Sequence, residues 1–422
     1  MSELAVHSLG GVDHGLGKCW RDAHADSGVG MGPMIAGPEA HSGRRVHWLE
    51  LFFDLVMVAY VSQIAHALHG DPSWVDGLVF FAFLAAAWWA WVNATITMNL
   101  FGVRVTPSIW TTVSVAMIAL GVMAAAVPDA LGDRAAAFAI GNAAIRVVWA
   151  VPWFMNRGSS GQPWWQPTLY SVVPAALWLV SLGVIQPWQY VVWAIAVAFE
   201  IFQLAFLGPR DKWLSQAFDI EHLSERLGLL IVIVFGESVL TIVVELDEHW
   251  TATAGVTALL SFAAVSMLGW IFFGHGSSAT TLGLQRLQLR GSTGGIRDTV
   301  MYLPFALVAA ITMFASALGT AVAEAGHSLP QGAAVCLSGG ISLFCVASVA
   351  ESIRFGEPLR DVVVWAPVGI ALPWVLLPLA AHLPSEGVVA AVVGIVAVLV
   401  TLTEITTRRT RMRLQYVVQG IA

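Results

Sequence analysis

The chain has 422 residues, of which 57% are hydrophobic and only 11% are charged, and its mean hydropathy is +0.75. This composition excludes an ordinary soluble domain. The net charge of -7, without basic stretches interleaved with aromatic residues, excludes nucleic acid as a partner. The lipid bilayer is the partner that such a chain predicts.

Residues 1–43 are rich in Gly and His and contain no apolar run long enough for a signal peptide. They predict a disordered cytoplasmic tail. A polytopic helical membrane domain is predicted over residues 44–407, and a basic cytoplasmic tail over residues 408–422. The three cysteines are an odd number and form no C-x-x-C motif, so neither a disulfide framework nor a metal or redox motif is predicted. No cofactor is predicted.

Apolar runs recur through the membrane domain, each close to the roughly 20 residues that a membrane-spanning helix needs. The sequence therefore predicts an all-α integral membrane protein with twelve transmembrane helices. These helices are predicted at residues 47–69, 76–98, 107–127, 135–155, 166–184, 187–207, 225–245, 252–275, 299–322, 333–353, 362–381 and 386–406.

The positive charges agree with twelve spans and with both termini in the cytoplasm. Of the 20 Lys and Arg residues, all but Arg134 and Arg146 fall on segments that this topology places in the cytoplasm. Such an excess of Lys and Arg on the cytoplasmic side is the positive-inside rule. The alternate loops contain neither residue at positions 70–75, 246–251, 323–332 and 382–385.

Predicted helices 1 and 7 begin with similar turns, in which a histidine precedes a glutamate by three residues: His47 with Glu50, and His222 with Glu225. One interpretation is a parallel duplication of six helices, as in some transporters. The spacing also puts His and Glu on one helix face, as in metal sites of helical bundles. We favour two helix starts with polar first turns over a metal site, so no metal is predicted.

Glu50 and Asp54 lie four residues apart, and therefore on one face of predicted helix 1. One interpretation is that both acids favour the positive end of the helix dipole and bind nearby arginines. The other is a functional polar network, which the apolar surroundings of Asp54 favour.

Arg146, Glu200 and Glu237 fall near the centres of predicted helices 4, 6 and 7. A charge at that depth is costly unless it is paired, so Arg146 requires a carboxylate from Glu200 or Glu237. The remaining acid, with a neighbour such as Ser238 as hydrogen-bond donor, would suit proton coupling. The alternative is an ion pair that only holds the helices together.

Four segments resemble the bacterial low temperature requirement protein A (LtrA) family: LELFFDLV from Leu49, DPSW from Asp71, WWAW from Trp88 and HLSERLGLLIVIVFGES from His222. The resemblance covers residues 44–406. It implies a multi-pass protein of the bacterial inner membrane, linked by name to growth in the cold and without an established molecular activity. Position by position, it implies that the motif residues are Glu50, Asp54, Glu225 and Glu237, with His222, Arg226 and Ser238 beside them, whereas His47 departs from the family pattern.

Three function classes fit these observations. The first is a secondary transporter or proton-linked carrier of an unidentified small molecule, supported by twelve spans and the midplane acids. The second is a membrane-embedded enzyme acting on a lipid or isoprenoid, so whether the protein is an enzyme stays open. In that enzyme, the acids would be Glu50, Asp54 and Glu225, and an apolar cavity would be walled by Trp88, Trp89, Trp91 and Phe101. The third class is a non-catalytic protein that supports growth at low temperature.

Overall fold

The computed structural model describes residues 46–102, 105–156, 165, 168–203 and 217–419, and these residues form helices and turns without a β-strand. The first six helices are α1 (Trp48–Ala65), α2 (Trp74–Phe101), α3 (Pro107–Ala126), α4 (Ala135–Met155), α5 (Val173–Val180) and α6 (Trp188–Phe202). The others are α7 (Ile220–Glu248), α8 (Ala252–Ile271), α9 (Ser277–Leu289), α10 (Thr293–Ala323), α11 (Gln331–Arg354), α12 (Leu359–Ala371), α13 (Leu376–Ala380) and α14 (Ser385–Gln419).

Ten segments of the described residues are long and apolar enough to cross a membrane, with α8–α9 and α12–α13 each counting as one. The protein is thus a polytopic helical membrane protein. Predicted helices 5 and 6 correspond to shorter apolar segments, Thr168–Gly183 and Trp188–Phe202. Helix α6 has 15 described residues, Trp188–Phe202, and residues 204–216 shortly after it lie outside the described part of the chain.

Polar residues at the helix starts explain where several helices begin. Ser73 caps α2 in a capping box with Asp76, in which the Ser73 N–H donates to the Asp76 carboxylate at 2.8 Å. The side chain of Asp219 accepts the His222 N–H at 3.1 Å and caps α7, which therefore starts earlier than the predicted residue 225.

The predicted tail at 1–43 lies outside the described residues, and α14 continues past residue 407 to Gln419.

Helix α10 lies at the centre of the bundle and packs against α7, α8 and α11. In its most apolar stretch 83% of the residues are buried, against 28–61% in the other candidate spans. Its side chains Ile311, Phe314 and Leu318 are fully buried. Exposed tryptophans (Trp74, Trp188 and Trp250) mark helix ends, where amphipathic rings favour the membrane interface.

Gly340 allows α11 to approach α10 closely. A Cβ atom at residue 340 would lie 2.9 Å from both the carbonyl oxygen of Ala310 and the backbone nitrogen of Phe314. Backbone atoms cannot move aside as a side chain can, so we expect Gly340→Ala to lower the free energy of unfolding by about 1–3 kcal/mol, the range for an overpacked core.

Gly339 provides the matched control, because a Cβ there meets only the flexible Met313 side chain at 3.2 Å. Both substitutions gain the same intrinsic helix propensity, so the difference between their free energies of unfolding reports only the contact with the α10 backbone. Reversible unfolding in mixed micelles measures the free energy of unfolding of both variants. Equal stabilities of the two alanine variants would show that the α10–α11 approach does not depend on Gly340.

Candidate functional site

Helices α1 and α7 lie side by side and run in the same direction. Near their starts, Glu50 of α1 contacts His222 of α7 at 3.1 Å, and Asp54 contacts Arg226 at 3.2 Å. Beyond the end of α1, His69 Nδ1 lies 3.5 Å from Glu245 Oε1. The contacting residues follow the same order along both segments, so α1 and α7 run parallel to each other.

The guanidinium of Arg226 bridges the two carboxylates of α1. Its Nη1 donates to Glu50 Oε2 at 2.7 Å and its Nη2 donates to Asp54 Oδ1 at 3.2 Å. The indole of Trp91 in α2 donates to the same Asp54 oxygen at 2.8 Å, and the guanidinium carbon lies 5.7 Å from the Trp91 ring centroid. We call Glu50, Asp54, Trp91, His222 and Arg226 the α1–α7 cluster; each is at most 1% exposed.

Asn99 of α2 fixes the tautomer of His222. Its Oδ1 accepts the Asp219 N–H at 3.1 Å, and its Nδ2 donates to the Asp219 carbonyl at 2.8 Å, which sets the orientation of the amide. The amide nitrogen also lies 3.1 Å from His222 Nδ1, so that ring nitrogen accepts. A neutral His222 therefore carries its proton on Nε2 and donates it to Glu50 Oε1 at 3.1 Å.

Apart from His222, the ionisable groups of the cluster are two carboxyl groups, those of Glu50 and Asp54, and one guanidinium, that of Arg226. Asp54 Oδ2 and Arg226 Nε are buried and have no hydrogen-bond partner in the described part of the chain. A buried carboxylate oxygen without a hydrogen-bond donor is costly, so Asp54 is suited to bind and release a proton.

The two predicted His–Glu turns do not form a four-ligand site. The His47 ring accepts the Leu49 N–H at 3.2 Å, and the Glu50 carboxylate accepts the His47 N–H at 3.4 Å, which together cap α1. Glu225 is exposed and accepts the Val46 N–H at 3.1 Å. The turns thus begin the two helices, and only Glu50 and His222 come together.

Arg146 of α4 pairs with Glu200 of α6. The Arg146 Nε and Nη2 donate to the two Glu200 oxygens at 2.7 and 2.6 Å. Nη1 donates to the carbonyl and side-chain oxygens of Asn142 at 3.0 and 2.9 Å, and Nη2 donates to the Ala86 carbonyl at 3.1 Å. These bonds use all five guanidinium N–H groups, and the two charges cancel. The geometry is that of a buried structural ion pair.

Glu237 lies apart from this pair, so the expected group of three midplane charges is not formed. Its side chain is partly exposed and makes no hydrogen bond or ion pair within the described residues. The hydroxyl of Ser238 donates to the Val234 carbonyl of its own helix at 3.1 Å, not to Glu237. Glu237 thus remains an acid without an identified partner.

Two further polar side chains, Thr241 and Glu245, follow Glu237 at intervals of four residues and therefore lie on the same face of α7. Burial, with His66 beside it, lowers the pKa of His69 from its usual 6.5. The lowered pKa favours the neutral form of His69 in its contact with Glu245. Glu248 and His249 lie at the same end of α7 and are exposed.

Trp91 of the cluster and Asn99 beside it have roles that the sequence did not reveal. Trp91 is expected in a cavity wall, whereas its indole donates to Asp54 and its ring stacks on Trp88 with centroids 4.8 Å apart. The Trp88 indole donates to the Met301 carbonyl at 2.6 Å. Asn99 could have been noticed as an amide in an apolar helix. The tryptophans fill the space between helices that the enzyme hypothesis needed as a cavity.

Comparison with known proteins gives a family and one relative. The family model described as Bacterial low temperature requirement A protein (LtrA) matches residues 45–401, which include the α1–α7 cluster and the Arg146–Glu200 pair. An uncharacterized protein of Rhizobium meliloti (strain 1021) is 29% identical over 248 residues. That match covers 54% of this chain and 58% of the relative.

Proposed function

The chain belongs to the bacterial low temperature requirement A (LtrA) family, and from its polytopic helical fold we propose that it is a proton-linked secondary transporter of an unidentified solute in the bacterial inner membrane. The observation that carries this proposal is the α1–α7 cluster. It buries two carboxyl groups around one guanidinium between two parallel helices. A proton on Asp54 would weaken the bond to Arg226 and so change how α1 holds α7.

Twelve spans with a parallel duplication fit this proposal, and helix packing supports them. Helix α1 packs on α2 and α3, and α7 packs on α8 and α10, the corresponding predicted helices. Helix α4 then packs on α3 and α5 as α11 packs on α10 and α12. Glu200 binds Arg146 near the middle of α4, which brings α6 to mid-depth. We therefore propose that predicted helices 5 and 6 also cross the membrane.

The cluster lies at the end of α1 and α7 that the Lys and Arg distribution assigns to the cytoplasm, with both termini on that side. The partly exposed Glu237 and the polar face that leads from it to Glu245 lie further along α7, toward the other side. A proton-linked carrier has to exchange protons with both sides of the membrane. The carboxyl groups of the α1–α7 cluster are suited to the cytoplasmic side, and Glu237 and Glu245 are suited to the other side.

The enzyme interpretation has less support. Its third acid, Glu225, is exposed at the start of α7, away from the buried carboxyl groups of Glu50 and Asp54. Its proposed cavity wall, Trp88 and Trp91, is packed and hydrogen-bonded.

Proton coupling is tested in proteoliposomes that contain a pH-sensitive dye and are challenged with a library of water-soluble solutes. For the wild type, we expect at least one solute to drive proton movement. Asp54→Asn keeps the shape of the side chain but cannot carry the proton. It should lose solute-driven proton flux by at least tenfold while it still exchanges labelled solute across the membrane.

Glu221→Gln is the matched control, because Glu221 is an exposed acid in the first turn of α7, the helix that Asp54 of α1 contacts. It should behave as the wild type in both assays. A solute that Asp54→Asn moves together with protons at the wild-type ratio would contradict coupling through the cluster. Chemical conversion of the solute instead of its transfer would contradict the carrier.

A further inference from the structure

A cavity of about 530 Å³ lies among α8, α9, α11, α12 and α14, on helices that do not form the α1–α7 cluster. This volume falls within the range of about 300–1,000 Å³ that is typical of small-molecule sites. The cavity is bordered by the turn between α11 and α12, where Gly356 adopts a φ of 75°. It therefore reaches the end of the bundle that the sequence assigns to the cytoplasm.

Four aromatic rings line this cavity: Phe272 of the turn after α8, Phe344 and Phe355 at α11, and Trp365 of α12. Faces of aromatic rings attract cations through their quadrupole, and tryptophan does so most strongly. Phe355 occupies space that only a glycine at position 283 leaves open, since a Cβ there would lie 2.1 Å from the Phe355 ring. The aromatic wall is thus built into the packing of α9 against α11.

The charged residues of the lining are mostly acidic. Three acidic residues, Glu351, Glu357 and Asp361, line the cavity together with one basic residue, Arg286. The Glu351 carboxylate accepts a hydrogen bond from the Thr280 hydroxyl, and Arg286 Nη1 donates to the Phe355 carbonyl at 3.4 Å. Part of the Arg286 charge is therefore directed at the backbone of the rim. The lining favours a positive ligand over a negative one.

We propose that this cavity binds an organic cation with an apolar body, such as a quaternary ammonium or phosphonium compound, with Glu351 as its counter-charge and Trp365 against its face. The proposal rests on the carrier function above, because it names the chemical class of the carried solute. The aromatic wall accepts the apolar body. The acidic rim attracts the charge and disfavours phosphates and fatty acids.

The test measures binding of two ions of the same shape and opposite charge, tetraphenylphosphonium and tetraphenylborate, by equilibrium dialysis against the detergent-purified full-length protein. We expect saturable binding of tetraphenylphosphonium, at one site per chain, and binding of tetraphenylborate that is at least tenfold weaker. Glu351→Gln should raise the dissociation constant for the cation at least tenfold. Trp365→Leu should raise this dissociation constant by a smaller factor, and its binding of tetraphenylborate should stay weak.

Glu324→Gln is the control, since Glu324 lies at the C-terminal end of α10, outside the cavity lining. It should bind the cation as the wild type does. If Glu351→Gln does not purify as a folded protein, Glu357→Gln at the rim replaces it with the same expected direction. Equal binding of both ions, or unchanged cation binding in these variants, would overturn the proposal.

The dialysis result does not depend on transport, so it can be separated from the carrier function. Cation binding without any solute-driven proton flux would leave the binding site in place and contradict the proton-linked carrier. Proton flux driven only by neutral or anionic solutes, with no cation binding, would contradict the assignment of the cavity and leave the carrier.

Discussion

Replacing Arg146 with Leu is expected to lower the free energy of unfolding by about 3–5 kcal/mol, the usual cost of removing one partner of a buried ion pair. Glu200 is 2% exposed and would lose both charge-assisted hydrogen bonds from Arg146. An unpaired carboxylate would then remain in the interior of the bundle. Reversible unfolding in mixed micelles measures this loss.

The double variant Arg146→Leu/Glu200→Leu should recover most of that stability, because it removes both charges instead of one. Such recovery would appear in a double-mutant cycle as a strong interaction between the two sites. Simple additivity of the two substitutions would refute the pairing. Glu324→Gln, a change of one acid outside any described ion pair, controls for the general effect of removing a negative charge.

The second large effect is a contrast between two isosteric neutralisations, Glu200→Gln and Asp54→Asn. Glu200→Gln leaves Arg146 without a counter-charge and should cost about 3–5 kcal/mol of stability. Asp54→Asn leaves Arg226 paired with Glu50 at 2.7 Å and removes a surplus negative charge. It should therefore change the free energy of unfolding by no more than about 1 kcal/mol, the net value of one hydrogen bond.

Arg226→Met provides the reference for this contrast, because it removes the only guanidinium in the α1–α7 cluster as defined. We expect a loss similar to that of Arg146→Leu. Adding Asp54→Asn to it should restore only part, since Glu50 stays buried without Arg226. A cost for Asp54→Asn as large as that for Glu200→Gln would mean that the cluster holds no surplus charge, and the basis for proton binding would fail.

The two buried arginines thus have different surroundings. Arg146 has every N–H group bonded and one carboxylate beside it, so its site holds the helices together. Arg226 faces two carboxylates and keeps Nε unbonded within the described residues. Because the Arg146–Glu200 pair has all its guanidinium N–H groups bonded and equal numbers of opposite charges, binding a proton would not stabilise it. The α1–α7 cluster has more carboxyl groups than guanidinium groups, so its hydrogen bonds can change when a proton binds.

The class of protein, the family and most of the helices could be predicted from the sequence. The reason is that burial in lipid imposes a length and a composition on each spanning segment, and both are local properties of the chain. Helices 5 and 6 as membrane spans stay a prediction, since only the shorter segments Thr168–Gly183 and Trp188–Phe202 are described there. The need of Arg146 for a carboxylate could also be predicted, because an unpaired charge at that depth is too costly.

Which residues meet was decided by the tertiary structure alone. The sequence offered both Glu200 and Glu237 to Arg146, and only the tertiary structure, which brings Glu200 of α6 to Arg146 of α4, selects Glu200. It paired His47 with Glu50 and His222 with Glu225 by spacing, yet the lateral contact of α1 with α7 joins Glu50 to His222 and Arg226. Spacing fixes the face of one helix, whereas the partner on that face depends on how neighbouring helices are placed and rotated.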